Sequence, residues 1–184
     1  SSGIFLWTAS LVTAQSTTYN TGNGYMSDIC VDNNNNIYFA RTSSSGLKYI
    51  LGSSVTPISS NTQFGYSTFV FKVNGSGQLQ YSKQYYSLLA GNSGSVIIKL
   101  RVKPDNNNNL FITGTYESGL NGSANSLSLD GDVSLGTAFS GGLGFIVKYD
   151  QSGSYQYVYK TTPGNIYLNF SQANEPYLLS ESPG

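Results

Sequence analysis

The chain contains no histidine and one cysteine among its 184 residues, and only 10% of its side chains are charged. Without histidine there is no Ser-His or Cys-His nucleophile pair, no imidazole metal ligand and no side chain that titrates near neutrality when unperturbed. A lone Cys30 forms no internal disulfide, so the fold is not stapled; its setting, SDICVD, alternates polar and apolar side chains and marks a small buried hydrophobe in a strand rather than a reactive thiol. No segment approaches the ~18 consecutive apolar residues of a membrane-spanning helix. The most apolar run, IFLWTASLV at 4–12, lacks the basic start and cleavage site of a secretory leader and reads as a strand. Nine Lys and Arg balance nine Asp and Glu, and no basic stripe collects, so nucleic-acid binding has no electrostatic footprint.

What is present favours strands. Fifteen Tyr and nine Phe stand with many Val, Ile and Thr, whereas strong helix formers are scarce, so the expected class is all-β. A polar, charge-poor, Asn- and Tyr-rich surface suits an extracellular, cell-surface or virion-surface protein.

The sequence repeats. DNNNN occurs at 32–36 and again at 105–109, and NNIYFARTSSSG then lies over NNLFITGTYESG. FVFKVNGSGQLQYSK at 69–83 likewise lies over FIVKYDQSGSYQYVYK at 145–160. The order is the same and the period nearly so, which marks tandem structural units. The spacing from Gly77 to Tyr81 recurs from Gly153 to Tyr157 and from Gly3 to Trp7, so the opening residues belong to the end of another unit. The expected division is 1–24, the last strand of a preceding unit plus linker; 25–92 and 93–162, two full units; and 163–184, the start of a further unit whose first turn falls near Glu181. The whole is read as one domain cut from, or circularly offset within, a longer array.

Alternating side chains mark four strands per unit, represented by MSDICVD, IYFART, TFVFKVN and QLQYSKQYY in the first. The Asn-rich turns from Asp32 to Asn36 and from Asp105 to Asn109 join strands one and two, and NGSG or DQSG joins three and four; both are hairpin chemistry, in which positive φ is cheap. Long inserts at 43–67 and 117–144 are expected to form a hairpin or ribbon at the rim and to carry specificity.

These motifs resemble the β-propeller repeats called SBBP repeats, whose pattern joins an (A/V)-F-(V/I)-x-K-(Y/L)-(D/N)-x-(S/T)-G segment to D-x-x-G-N-(V/I)-Y-(V/I)-T-G. The resemblance spans nearly the whole chain and is nearer to the long-insert variants of giant viruses and protists. It implies tandem four-stranded antiparallel blades, propeller-like, in surface or virion proteins mostly without catalysis. Asn stands for the usual turn Gly in DNNNN, and Ala40 and Arg41 stand where Thr113 and Gly114 keep the T-G pair.

Candidate chemistry is sparse. Asp28, Asp32, Asp105, Glu117, Asp130, Asp132 and Asp150 supply carboxylates for glycoside hydrolysis, but Asp32, Asp105 and Asp150 sit where turns want Asp. Asp130 and Asp132 in LDGDVS offer oxygen to calcium but lack the EF-hand series, and the ordinary D-G turn is preferred. GTAFSGGLGF at 136–145 has no phosphate-loop lysine. Lys72 and Lys148 are expected to be exposed on strand faces, their stems covering apolar surface, and Trp7, Tyr81 and Tyr157 to pack between units rather than hold sugars. Asn74, Asn121 and Asn169 open N-x-[ST] sequons and are the candidate glycosylation acceptors. No cofactor, metal, nucleic acid or membrane insertion is expected. The expected role is a non-catalytic structural or recognition module that assembles with its own units or with other subunits and shows its inserts to surface glycans or proteins; a lectin-like module is the alternative, and a carboxylate-dependent glycosidase the third.

Overall fold

The computed structural model describes residues 7–13, 26–43, 46–58, 67–88, 99–116, 126–130, 133–137, 143–161 and 165–181. The protein is all-β, made of antiparallel sheets, with no helix among the described residues. Repeat 1 contributes β2 (Met26–Val31), β3 (Ile37–Ser43), β6 (Ser67–Val73) and β7 (Leu79–Leu88). Repeat 2 contributes β8 (Lys99–Pro104), β9 (Leu110–Tyr116), β12 (Leu143–Tyr149) and β13 (Tyr155–Thr161). In each the strands lie in chain order, the second pairing with the third in full register: Phe39 opposite Phe71 in repeat 1, Ile112 opposite Val147 in repeat 2.

The inserts fold as hairpins, β4 (Leu47–Leu51) with β5 (Ser54–Ile58), and β10 (Ser126–Leu129) with β11 (Val133–Thr137). Neither extends its own repeat's sheet. The hairpin of repeat 1 pairs with β1 (Ala9–Thr13), and the hairpin of repeat 2 pairs with β7 of repeat 1. Sheet membership therefore crosses the boundary near residue 92: repeat 1 ends in a six-stranded sheet ordered β11-β10-β7-β6-β3-β2, while β1-β4-β5 form a sheet of three.

A second difference lies at the other end. β14 (Asn165–Phe170) and β15 (Pro176–Glu181) are joined by a turn at Ser171–Glu175, ten residues before the position near Glu181 that the repeat spacing predicts. β13 ends at Thr161 and β14 starts at Asn165, whereas β7 ends at Leu88 and β8 starts only at Lys99, so the next turn arrives early.

The sheets stack face to face, which explains why β6 is buried at every position from Ser67 to Val73. Phe69, Phe71 and Val73 point to the β1-β4-β5 side, against Leu47, Tyr49 and Trp7. Val70, with Tyr38, Ala40 and Tyr85, points to repeat 2, against Leu100, Val102, Leu110, Ile112 and Phe145. Phe111 and Ile146 on the far face of repeat 2 meet Ile166 and Phe170 of β14. Each such side chain, fully buried, contributes about 1.5–3 kcal/mol relative to exposure, and it does so only because a neighbouring sheet covers it.

Candidate functional site

Five hairpins share one turn. In those opened by Asp32, Asn74, Asp105, Asp150 and Ser171, the amide of the first residue bonds the carbonyl of the fifth, and the amide of the fourth bonds the carbonyl of the first. The fourth residue is always left-handed: Asn35 (φ 60), Gly77 (82), Asn108 (60), Gly153 (85) and Asn174 (63). This is a three-residue loop closed by a residue at positive φ. Asp32 Oδ1 accepts the amides of Asn34 and Asn36, and its Oδ2 accepts Asn36 Nδ2 and the Tyr38 hydroxyl. Asp105 repeats the first three bonds with Asn107 and Asn109, but Phe111 stands where Tyr38 is, so the fourth has no counterpart.

The left-handed residue differs for a reason the sequence alone does not state. A Cβ on Gly77 would lie 2.8 Å from the Trp7 ring, and one on Gly153 would lie 2.9 Å from the Tyr81 ring, so these turns exclude a side chain. In the DNNNN-type turns the asparagine has work across repeats. The Asn33 amide donates to Asn108 Oδ1 at 3.1 Å, and the Asn106 amide donates to Asn174 Oδ1 at 2.8 Å. The Asn33 and Asn106 side chains follow suit, donating to the carbonyls of Asn106 and of Ser171 and Gln172. Three successive turns are thereby laddered together.

The carboxylates are dispersed into such bonds. Asp28 Oδ2 accepts the amide of Val102, capping the outer edge of β8 from the neighbouring repeat. Asp130 clamps β10 to β7: its Oδ2 pairs with Lys83 Nζ at 2.8 Å, while its Oδ1 accepts the Gln84 amide and its own amide donates to the Gln84 carbonyl. Asp150 Oδ1 accepts from the Ser152 hydroxyl and the amides of Ser152 and Ser154, which hold its pKa below the ordinary value. No group of three or more acids or cysteine that could hold a metal occurs among the described residues. Glu117, Asp132 and Asn121 lie outside the described residues.

Lys72 is buried rather than exposed as its strand position suggested, because the next repeat packs over it; its Nζ donates to the Gln151 carbonyl there at 2.7 Å and sits over the Tyr38 and Tyr81 rings at 5.5 and 5.8 Å. Burial lowers its pKa against the pull of Asp32 and Asp150. Lys148 makes the matching ring contacts with Phe111 and Tyr157. Burial, with Asp28 beside it, pushes Cys30 up to about 12, which suppresses the thiolate. Trp7 donates its indole N–H to the Gly75 carbonyl at 2.8 Å, and Tyr81 is half-buried against repeat 2, whereas Tyr157 is exposed. Among the sequons, Asn74 opens a turn and bonds Gln78 and Ser76, and Asn169 is exposed on β14.

One concavity of about 260 Å³ lies between β1 and the β2-β3 pair, lined by Trp7, Leu11, Met26, Ile29, Phe39 and Arg41. Arg41 Nη1 donates to the Leu11 carbonyl at 3.0 Å, and its buried Nε has no partner. Nothing in the sequence pattern pointed to Arg41, to the Asp28 cap or to the asparagine ladder, because each depends on a partner in another strand or repeat.

No family model, no curated protein and no solved structure matches the chain.

Proposed function

We propose that the protein is a non-catalytic structural and recognition module of an extracellular, cell or virion surface, built from tandem propeller-type blades of the SBBP-like kind, which assembles through sheet packing and presents its inserts to partners. The observation that carries this reading is the handing-over of β4-β5 and β10-β11 to the sheet before their own, which spends the inserts' inner edges on holding repeats together. The carboxylates support it further, since Asp28, Asp32, Asp105, Asp130 and Asp150 are each engaged in a turn, cap or clamp rather than converging on one cleft.

A lectin-like role is the second reading, favoured by the aromatic groove at Trp7 and Phe39 with Arg41 at its side. A glycan array and a polysaccharide hydrolysis screen with the purified chain separate the readings, alongside surface labelling of intact cells or particles. The expected outcome is external labelling with no saccharide retained or cleaved. Retention lost in Trp7→Ala establishes the lectin, and hydrolysis lost on changing two aspartates establishes the glycosidase.

A further inference from the structure

Among the described residues two faces of the stack are left partly uncovered, and the repeat makes them counterparts. Inside the chain, Val102, Leu110 and Ile112 of repeat 2 are buried because Tyr38, Ala40 and Val70 of repeat 1 lie on them. The offset between Asp32 and Asp105 places Ile29, Ile37 and Phe39 of repeat 1 at the same three positions. There they line the groove beside β1: Ile29 is 60% exposed, whereas Ile37 is half-buried and Phe39 stacks on Phe71 at the margin of the cluster that β1-β4-β5 cover.

At the other end, superposing the Ser171–Glu175 turn on Asp32–Asn36 puts Tyr177 in the place of Tyr38 and Leu179 in the place of Ala40. Tyr38 and Ala40 are fully buried, whereas Tyr177 and Leu179 are 60% and 67% exposed. They share the outward face of β14-β15 with Tyr167, which pairs with Leu179 and carries the Arg101 guanidinium of repeat 2 at 4.3 Å from its ring, because Ile166, Leu168 and Phe170 turn the alternate face to repeat 2. The turn ladder is open in the same sense. Asn35 matches the acceptors Asn108 and Asn174 but accepts no such bond among the described residues, and Gln172 matches the donors Asn33 and Asn106.

We propose that the chain binds a second copy of itself head to tail, the Tyr167, Tyr177 and Leu179 face of one copy packing on the Ile29, Ile37 and Phe39 face of the next, with the Gln172 amide donating to Asn35 Oδ1. The interface continues the packing already made between repeats 1 and 2. β14-β15 brings the first two strands of a sheet, and β1-β4-β5 covers only the outer part of the face it would join. Because the two surfaces differ, the contact is heterologous and propagates into a ring or a filament according to whether the rotation per copy closes. The inference rests on the structural reading above and specifies where that assembly occurs.

Sedimentation velocity over a concentration series tests it, with Ile29→Asp and Leu179→Asp as variants whose exposed positions leave the folded core intact. Multimers growing with concentration are expected for the unaltered chain. Each variant alone weakens association by about 30-fold or more, the factor that corresponds to about 2 kcal/mol. Mixed, the two variants form a one-to-one dimer and nothing larger, because one retains a working tail and the other a working head. A chain that stays monomeric throughout overturns the proposal, as does a mixture that forms no dimer. Multimers indifferent to both substitutions overturn these faces while leaving the structural reading intact; a monomer that retains or cleaves a glycan overturns that reading itself.

Discussion

The amide of Asn33 donates to the side-chain oxygen of Asn108 at 3.1 Å, joining the same turn in two successive repeats. Asparagine tolerates the left-handed region better than other side chains do, and here it adds a bond that glycine cannot make. Asn108→Gly is expected to lose the bond, about 0.5–1.5 kcal/mol, offset by a few tenths from the freer backbone. Asn35→Gly, with no rung to lose in the isolated chain, is expected to be neutral or slightly stabilising. Urea midpoints of the two variants give the comparison, and equal shifts would remove the ladder from the account.

Gly153 and Gly77 face a harder limit. Gly153→Ala meets both a positive φ of 85 and the Tyr81 ring at 2.9 Å, so a loss of about 2 kcal/mol or more is expected. Gly52→Ala has φ 57 but nothing within 4 Å, and only the backbone cost of about 1–2 kcal/mol applies. Thermal unfolding of the pair isolates the steric part.

Lys72 and Lys148 hold matching strand positions with unequal duties. Lys72→Met strands the Gln151 carbonyl and removes a cation from above two tyrosines, for an expected loss of about 1–3 kcal/mol. Lys148→Met removes ring contacts to Phe111 and the exposed Tyr157 alone and is expected to stay within about 1 kcal/mol. Chemical denaturation of both variants checks the difference.

Alkali is expected to unfold the chain. Cys30 is raised from 9.0 to about 12, and burial raises Tyr38, Tyr81 and Tyr85 above their ordinary 10.0. Folded groups of this kind hold their protons after the unfolded chain has released them, so their stabilisation is complete below pH 9 and is lost progressively as pH climbs from 9 towards about 12 for the thiol and from 10 upward for the phenols. Lys72, lowered by burial, works in the opposite direction below 10.5 but is one group against five, since burial raises Tyr49 as well. A step in tyrosinate absorbance that coincides with loss of the β-sheet signal is the expected trace; loss of that signal with no accompanying step would contradict it.

Local chemistry made much of this architecture legible. The Asp at the head of DNNNN announced a turn because its bonds run to amides two and four residues on, and the strands announced themselves because alternating side chains are a nearest-neighbour property. The turn at Ser171–Glu175 stayed hidden since SQANE keeps the left-handed Asn174 but swaps the leading Asp for Ser, whose hydroxyl still accepts the Glu175 amide at 3.0 Å. The inserts were recognised as hairpin material, yet their attachment was not: pairing Leu51 with Ala9, or Leu129 with Tyr85, is decided by which exposed edge lies nearby in space. The groove at Ile29 was invisible for the same reason, because alternation within β2 shows that one side is apolar and says nothing of what lies on it.

The hairpins lodged in the preceding sheet also set how the protein yields to force. Pulling one unit from its neighbour must slide a whole ladder of backbone bonds at β7 and β10, locked by the Asp130 and Lys83 ion pair, before any apolar face parts. Strain between the two repeats is thus met first by paired strands and an ion pair, and only afterwards by apolar contact.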